Sequence, residues 1–213
     1  MICYNYFGDK VKIIKYEKKG NNTYKIYLEN NETINLYEDV IIKNNLLYKK
    51  EIDKTLLEKL DLENNEEDIY NKCVKYISVR IRSIYEMREY LKRKSIDEKL
   101  IDITIEKLYK NNLLNDDRFA KAFINDKLNF TTMGPYRIEQ ELKKHKIDSD
   151  TIYRYLSNID DSVIDNKINK QIVKLIKGSK KKQNLRNKVY MNLLSLGYSN
   201  EMILRNINNY DFN

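Results

Sequence analysis

The sequence has little of the two residues that most often interrupt helices. Its 213 residues include five glycines and one proline. Because these residues punctuate regular structure, their scarcity predicts long helices with few breaks. The five glycines are scattered, so there is no glycine-rich loop of the kind that cradles phosphate groups. The chain also lacks any apolar run near the roughly 18 residues that a membrane-spanning helix needs.

Cysteines and secretion signals are equally sparse. The two cysteines, Cys3 and Cys73, have neither the spacing of a metal site nor that of a redox motif. Residues 1–6 lack the basic and then apolar order of a signal peptide. A chain with these properties is expected in a reducing cytoplasm, where thiols stay free.

Residues that commonly perform catalysis are few. The single histidine, His145, lies among lysines, whereas acid–base or metal chemistry normally needs converging partners. The acidic pairs Asp116-Asp117 and Asp160-Asp161 stand where helices are expected to begin, so capping and the helix dipole account for them better than a metal. We therefore expect no catalytic residue, no metal, no cofactor and no enzyme activity.

Charge and aromatic content point towards binding instead. The net charge is +8, and residues 160–213 carry 10 basic and 5 acidic side chains. A basic C-terminal third suggests an acidic or polyanionic partner, although a solvated lysine-rich surface would look the same. The 18 tyrosines could stack on bases, but rings at helical spacing more often pack against a core.

The sequence matches itself twice at a spacing of 51 residues. The aligned apolar positions are Met87, Ile138 and Val189; Leu91, Leu142 and Leu193; Ile96, Ile147 and Tyr198; Ile101, Ile152 and Ile203; and Ile105, Leu156 and Ile207. Steps of mostly four residues within each copy indicate helices. The polar residues Asp97, Asp148 and Ser199 precede the last helix of each copy and can cap it. Each copy is expected to form three helices.

The starts and ends of the middle helices carry their own signals. Residues 83–86 read Ser-Ile-Tyr-Glu, which is a capping box, and Gly134-Pro135 suits the start of the second middle helix. Gly197 fits a left-handed helix end. Ser95 and Lys146 hold the matching positions, and the same backbone geometry there would cost each on the order of 1 kcal/mol.

The N-terminal segment has a different pattern. Short alternating runs at 11–14, 24–28 and 33–36 predict a three-stranded antiparallel meander, 38–44 and 50–60 predict short helices, and the acidic stretch 61–68 is expected to be a linker. The predicted domains are a β-rich segment with short helices over 1–60 and three-helix repeats over 61–114, 115–159 and 160–213. Thin cores in such small repeats predict an elongated, curved, monomeric array, mainly helical.

These motifs resemble the RecX family of recombinase regulators. Residues 116–120 read Asp-Asp-Arg-Phe-Ala, and 134–143 follow the pattern Gly-Pro, two residues, Ile, two residues, Glu-Leu. Residues 80–83 are similar to the Arg-Pro-Arg-Ser start of the first family repeat, with Ile81 in place of proline. Ser95 and Lys146 replace glycines that are usual in the family. The N-terminal β segment, which ends in Glu38-Asp39-Val40 and Asn45-Leu46-Leu47, resembles the N-terminal extension of longer members.

The resemblance implies a function and leaves an alternative. Family members bind RecA, lie in the groove of its filament on DNA, and usually restrain strand exchange, ATP hydrolysis and coprotease activity in DNA repair and the SOS response. No catalytic residues belong to the family, and Phe119, Ala120, Ile138 and Leu142 are expected to be core. The alternative is a module of three-helix units that binds DNA directly.

Cations on the middle helices are the candidate contacts with RecA or DNA. They are Arg88, Lys92 and Arg93 in the first repeat, Arg137, Lys143 and Lys144 in the second, and Lys180, Lys181, Lys182, Arg186 and Lys188 in the third. At the 51-residue spacing several of them align, so a cationic face would recur along the repeats. An anionic filament groove favours such a face. The competing interpretation is that these side chains only solvate the helices.

Overall fold

The computed structural model describes residues 10–20, 22–179 and 183–212. The fold is mainly helical with a small N-terminal sheet, which confirms the predicted fold class. The chain forms two compact units: residues up to Arg80 with Leu91–Leu113, and Ile81–Tyr90 with Leu114–Asn213. The domain boundaries proposed from the sequence stay a prediction.

The first unit contains a four-stranded antiparallel sheet. Its strands are β1 (Lys10–Lys18), β2 (Thr23–Leu28), β3 (Thr33–Tyr37) and β4 (Glu51–Asp53), in the order β3-β2-β1-β4. The first three form the predicted meander. The helix predicted over 50–60 is wrong at its start, because Ile52 lies opposite Val11 on β1 and is fully buried in the sheet core.

The acidic stretch 61–68 is not a linker. After helix α1 (Glu38–Lys43) and a 3-10 turn (Leu46–Tyr48), it lies inside helix α2, which runs unbroken over Lys54–Val79. Asn64 accepts a hydrogen bond from the backbone N–H of Tyr37 (2.9 Å), and Asp68 accepts one from the Tyr37 hydroxyl (2.8 Å). The polar side chains therefore satisfy the last strand of the meander, which composition alone could not reveal.

Within the described residues, nine helices follow β4, three for each of the repeats predicted from the sequence. The first repeat is α2, α3 (Ile84–Arg93) and α4 (Glu98–Lys110); the second is α5 (Asp116–Phe130), α6 (Pro135–Lys144) and α7 (Ser149–Ser157); the third is α8 (Asp161–Gly178), α9 (Leu185–Ser195) and α10 (Asn200–Ile207). All fifteen aligned apolar positions are buried except Ile96 and Leu156, which are half-buried. Phe119, Ala120, Ile138 and Leu142 are buried too, so the predicted core face is confirmed.

The turn after each middle helix recurs in detail. The backbone φ is 57° at Ser95, 58° at Lys146 and 92° at Gly197. In each turn the next N–H donates to the carbonyl of the aligned leucine, at 3.3 Å in all three repeats. Ser95 and Lys146 therefore adopt the left-handed conformation that glycine accepts without strain, as predicted.

The predicted caps are also present. Asp97, Asp148 and Ser199 each accept a hydrogen bond from the backbone N–H three residues on, at 3.1, 3.0 and 3.3 Å. In the capping box, Ser83 Oγ accepts from the Glu86 N–H (3.1 Å), and Glu86 accepts from the Ser83 N–H (3.2 Å). These contacts satisfy N–H groups that helix geometry leaves unpaired.

The second and third repeats meet at two glycines. The Gly134 N–H donates to the Leu196 carbonyl (2.8 Å), and the Tyr136 N–H donates to the Gly197 carbonyl (3.1 Å). A Cβ on Gly134 would lie 2.5 Å from the Gly197 oxygen, and one on Gly197 would lie 2.6 Å from the Arg137 nitrogen. The start of α6 therefore sits directly on the turn after α9, with no room for a side chain at either glycine.

Lys167 makes a second connection between these repeats. Its ammonium group donates to the carbonyls of Leu128 (2.5 Å) and Thr131 (2.6 Å) at the C-terminus of α5. A cation is favourable there because the last carbonyls of a helix are unpaired and carry partial negative charge. Burial lowers the pKa of Lys167, whereas the hydrogen bonds to the carbonyls stabilise its charged form.

We expect Gly134→Ala to destabilise the protein by roughly 1–3 kcal/mol, because the added methyl group must displace backbone atoms of the next repeat. Gly178→Ala is the matched control, since nothing lies within 4 Å of a Cβ at that helix end, and it should be neutral or slightly stabilising. Denaturant unfolding measures both. Equal stabilities for the two variants would show that the glycine contact does not hold the repeats together.

Candidate partner-binding surface

The candidate cations of the second repeat are exposed but not equivalent. Lys143 pairs with Glu139 at 2.5 Å and Lys144 with Glu141 at 2.7 Å, both within α6. Arg137 is exposed as well, and it forms no hydrogen bond or ion pair through its side chain within the described part of the chain. The charge of Arg137 is therefore the one most available to a partner, while the two lysines are already partly compensated.

The other two repeats hold the remaining candidates. Lys92 and Arg93 are exposed, with Lys92 3.5 Å from Glu98, and Arg88 is half-buried. In the third repeat Lys188 is exposed, and Arg186 donates to the Asn208 side chain at 2.7 Å. The candidates Lys180, Lys181 and Lys182 lie outside the described residues. Arg137 and Lys188 are 51 residues apart and both exposed, so a cation recurs at this position of the second and third repeats.

A groove between the second and third helices also recurs. It has a volume of about 330 Å³ between α6 and α7 and about 460 Å³ between α9 and α10. Pro135, Tyr136, Glu139, Tyr153 and Leu156 line the first groove, and Arg186, Asn187, Tyr190, Leu204 and Ile207, each 51 residues later, line the second. The repeat therefore reproduces a concave surface as well as a core.

Two tyrosines on the α6–α7 groove depart from the expectation that tyrosines pack. Tyr136 is 63% exposed and Tyr153 is 74% exposed. Both stand one or two positions away from the buried residues Ile138 and Ile152, and this offset from the apolar stripe is the only sequence signal that could have singled them out. Lys143 also lines this groove, whereas Arg137 follows Tyr136 in the sequence without lining it. Tyrosine is among the residue types that dominate binding hot spots.

The family motifs lie where the first and second repeats meet, within the second compact unit. Asp116 accepts a hydrogen bond from the Ile84 N–H at 2.8 Å, so it caps α3 from outside, whereas Asn115 caps its own helix. His145 Nδ1 lies 3.8 Å from a Glu86 oxygen. The Lys146 ammonium stands 6.0 Å from the ring centre of Tyr85.

This contact is equivalent to the glycine contact between the next two repeats. Tyr85 and Lys146 are 51 residues before Tyr136 and Gly197, which are bonded through their backbones. In both places the start of a middle helix meets the turn after the following middle helix. Gly134 and Asp116 therefore lie at the contacts between repeats, whereas Pro135 lines the α6–α7 groove.

The other acidic residues have structural partners too. Asp117 is paired with Arg154 and accepts from the Tyr155 hydroxyl (2.6 Å). Asp160 caps α8 through the Ser162 N–H (2.7 Å), and Asp161 pairs with Arg205 (2.8 Å). Capping and ion pairing therefore account for the acidic pairs Asp116-Asp117 and Asp160-Asp161.

Within residues 10–20, 22–179 and 183–212 there is no group of three or more His, Cys, Asp or Glu side chains arranged to hold a metal. His145 is half-buried, with ring centroids 5.1 Å from Phe119 and 5.5 Å from Phe123. Burial raises the pKa of the free Cys73 thiol to about 12, which suppresses thiolate chemistry. Among the same residues, no helix has the length and apolarity to cross a bilayer.

This architecture defines a protein of tandem three-helix domains, in which the start of a middle helix contacts the turn after the next middle helix. The family model for the first three-helix domain of RecX matches residues 70–108, and that for the second matches 115–156. A regulatory protein RecX from Bacillus velezensis is 30% identical over 89% of this chain and 73% of its own length. The chain belongs to the RecX family.

Other relatives agree with this assignment. The regulatory protein RecX of Halalkalibacterium halodurans is 32% identical over 65% of this chain, an alignment that spans only 54% of that relative. A crystal structure of a regulatory protein RecX matches with a TM-score of 0.80 over 94% of this chain and 100% of its own, at 22% identity, which speaks for the fold alone. The crystal structure of RecX from Lactobacillus salivarius matches with a TM-score of 0.64 at 26% identity, over 69% and 97% of the two chains.

We expect the ionised carboxylate of Asp116, which caps α3 from the second repeat, to reduce the stability of the fold at neutral pH. Burial raises the pKa of Asp116 above its ordinary value, so the folded state disfavours the ionised carboxylate. This loss of folding stability is absent below the ordinary pKa and grows as pH rises through the raised pKa. Asp116→Asn keeps an oxygen for the Ile84 N–H and removes this cost. It should therefore be at least as stable as the native protein at pH 7, with the difference shrinking to nothing in acid.

Asp160→Asn provides a control of opposite sign. Hydrogen bonds from Ser162 lower the pKa of Asp160, so its contribution is present above the ordinary carboxyl pKa and is lost as pH falls through the lowered one. This variant should be the less stable one at pH 7 and match the native protein in acid. Denaturant unfolding across pH measures both; a native advantage over Asp116→Asn at pH 7 would contradict the buried-charge account.

Proposed function

We propose that this protein is a non-enzymatic regulator that binds RecA and its filament on DNA, and that it inhibits recombinase, ATPase and coprotease activity in DNA repair. The relatives named regulatory protein RecX support a regulatory role. We place its action in the cytoplasm, where such a filament would form. The protein contributes a binding surface, and the chemistry it controls is that of the filament.

The observation that carries this proposal is that a groove, and separately an exposed cation outside it, recur at a spacing of 51 residues. The α6–α7 and α9–α10 grooves have five equivalent lining positions, and Arg137 and Lys188 are equivalent exposed cations. A filament presents the same protomer surface repeatedly. A protein with a repeated groove can contact successive protomers through equivalent positions, and the bound repeats would resist the movements that strand exchange and ATP turnover require.

Charge reversal at the recurring cation is the main test. We expect Arg137→Glu with Lys188→Glu to weaken binding to RecA–DNA filaments roughly tenfold, about 1.4 kcal/mol, and to relieve inhibition of DNA-dependent ATP hydrolysis. The reason is that Arg137 and Lys188 form no ion pair within the described part of the chain, and Arg137 only contributes at longer range to lowering the pKa of Glu141. Reversal of Lys143 and Lys144 should do less, because Glu139 and Glu141 already pair with them.

The matched control is Lys99→Glu with Lys174→Glu, which changes the net charge equally at exposed positions on α4 and α8. It should leave binding and ATPase inhibition near the native values, while circular dichroism confirms unchanged helix content. If the control variant weakened filament binding as much as the test variant, diffuse net charge would replace the recurring surface as the explanation.

The groove tyrosines should be binding hot spots. We expect Tyr136→Ala with Tyr153→Ala to weaken filament binding by roughly 30-fold, about 2 kcal/mol, because truncating exposed aromatic anchors removes contact area in the complex and little in the free protein. Tyr48→Ala is the control, since Tyr48 is also exposed and lines neither groove. Native binding by the tyrosine double variant, measured by filament pull-down or surface plasmon resonance, would rule out the groove as the contact.

A further inference from the structure

The β1–β2 hairpin carries a dense set of cations that the proposed filament surface does not use. Residues 10–29 contain six lysines and two acidic residues. Neither RecX domain model reaches this segment, since the models match 70–108 and 115–156. A binding site requires that several of these lysines lie on the same face of the sheet.

The strand register places two of the lysines and a tyrosine on the outward face. Lys15 lies opposite Tyr27, and Glu17 lies opposite Lys25. Residues directly opposite on antiparallel strands share a face, and alternate residues of a strand do too. The other face carries Ile26 and Leu28 into the core. Lys15, Glu17, Lys25 and Tyr27 are therefore together on the side away from the core; we call them the hairpin cluster.

A β-bulge creates this arrangement. The register shifts between Ile13 and Lys15, and Ile14 is the extra residue. In a regular strand Ile13 and Lys15 would point to the same face, and Ile13 packs against the core. The bulge therefore turns Lys15 outwards, opposite Tyr27. Bulges commonly re-aim side chains in this way, and they are over-represented near functional sites.

The outward lysines converge on one ring. The ammonium of Lys15 is 5.3 Å from the Tyr27 ring centre, and that of Lys25 is 5.2 Å from it. Neither forms an ion pair within the described residues. The one acidic member, Glu17, accepts from Lys19 Nζ (2.6 Å) and from the Tyr27 hydroxyl (2.5 Å). Glu17 thus orients the tyrosine and pairs with Lys19. The charge of Lys15 also helps to lower the pKa of Glu17, but at a longer range than an ion pair.

We propose that the hairpin cluster binds the phosphate backbone of DNA, with Lys15 and Lys25 as the contacting cations and Tyr27 and Glu17 as positioning residues. Both ammonium groups lie near the Tyr27 ring, so a phosphate group beside that ring can accept hydrogen bonds from them and release counterions. A membrane surface fits less well, because Ile14 is the single large aliphatic side chain exposed on β1 and β2 and peripheral insertion normally requires an apolar face.

This inference rests on the proposed function only in that a filament on DNA brings the protein close to a DNA backbone. Its test therefore omits RecA. Fluorescence anisotropy with labelled single-stranded and duplex oligonucleotides should show binding that falls with salt. Lys15→Glu with Lys25→Glu should weaken it at least about tenfold, and the slope of log affinity against log salt should fall by roughly 1.4 on single strands and 1.8 on duplex.

Two further variants make the test decisive. Lys15→Gln with Lys25→Gln removes the two charges without placing new carboxylates beside Glu17, so the hairpin should keep its fold. This variant should still lower the affinity for DNA and the salt slope, even if charge reversal disrupts the hairpin. Lys99→Glu with Lys174→Glu should bind DNA like the native protein, because those lysines lie on helices outside the hairpin. Comparing single strands with duplex identifies the DNA form that supplies the phosphates.

The outcomes separate the two proposals. Arg137→Glu with Lys188→Glu should retain binding to bare DNA while losing filament inhibition. Equal loss of DNA affinity in the hairpin and control variants would overturn the hairpin site in favour of net charge. Tighter binding to phosphatidylserine vesicles than to either oligonucleotide, with the same dependence on Lys15 and Lys25, would overturn it in favour of a membrane. Neither result would alter the filament assay.

Discussion

The structure of the repeats depends on one kind of contact, in which the start of a middle helix meets the left-handed turn after the next middle helix. Between the second and third repeats the contact is backbone against backbone, through Gly134 and Gly197. Between the first and second it uses side chains, with Asp116 capping α3 and Lys146 over Tyr85. At the glycine contact the helix start supplies unpaired N–H groups and the turn supplies carbonyls, so each satisfies the other. At the other contact the acceptor for α3 is a carboxylate at the start of α5.

This contact explains why small repeats persist. A three-helix unit of about 50 residues buries a thin core, and its neighbours must supply part of the stability. The cores of the second and third repeats both include Leu128 and Ile159 at their margins, so the two are not independent. The groove between the second and third helices is reproduced in the second and third repeats, and the exposed cations Arg137 and Lys188 recur in equivalent places.

Much of this was predictable from the sequence because it follows from local rules. The 51-residue spacing, the caps at Asp97, Asp148 and Ser199, and the left-handed turns depend on residues close together in the chain. What could not be predicted depends on distant partners. The composition of 61–68 suggests a linker, but Asn64 and Asp68 in this stretch form hydrogen bonds with Tyr37 on β3. The sequence around Ile52 suggests a helix, but Ile52 pairs with β1 as part of a strand. The groove tyrosines are likewise distinguished from packed ones only by the absence of a neighbour.

The same distinction governs the interpretation of charge. A net charge of +8 says that the protein favours anionic partners, but not where. Lys143 and Lys144 formed the most prominent cationic pair in the sequence, and the structure gives each a carboxylate one turn away. Such pairs contribute little to stability at a surface, yet they reduce the field that a partner meets. Arg137, Lys188, Lys15 and Lys25 are less conspicuous in the sequence and are not compensated in this way. Local compensation is therefore a better guide to a binding surface than local density of lysine, because a partner responds to the charge that the protein itself has left unsatisfied.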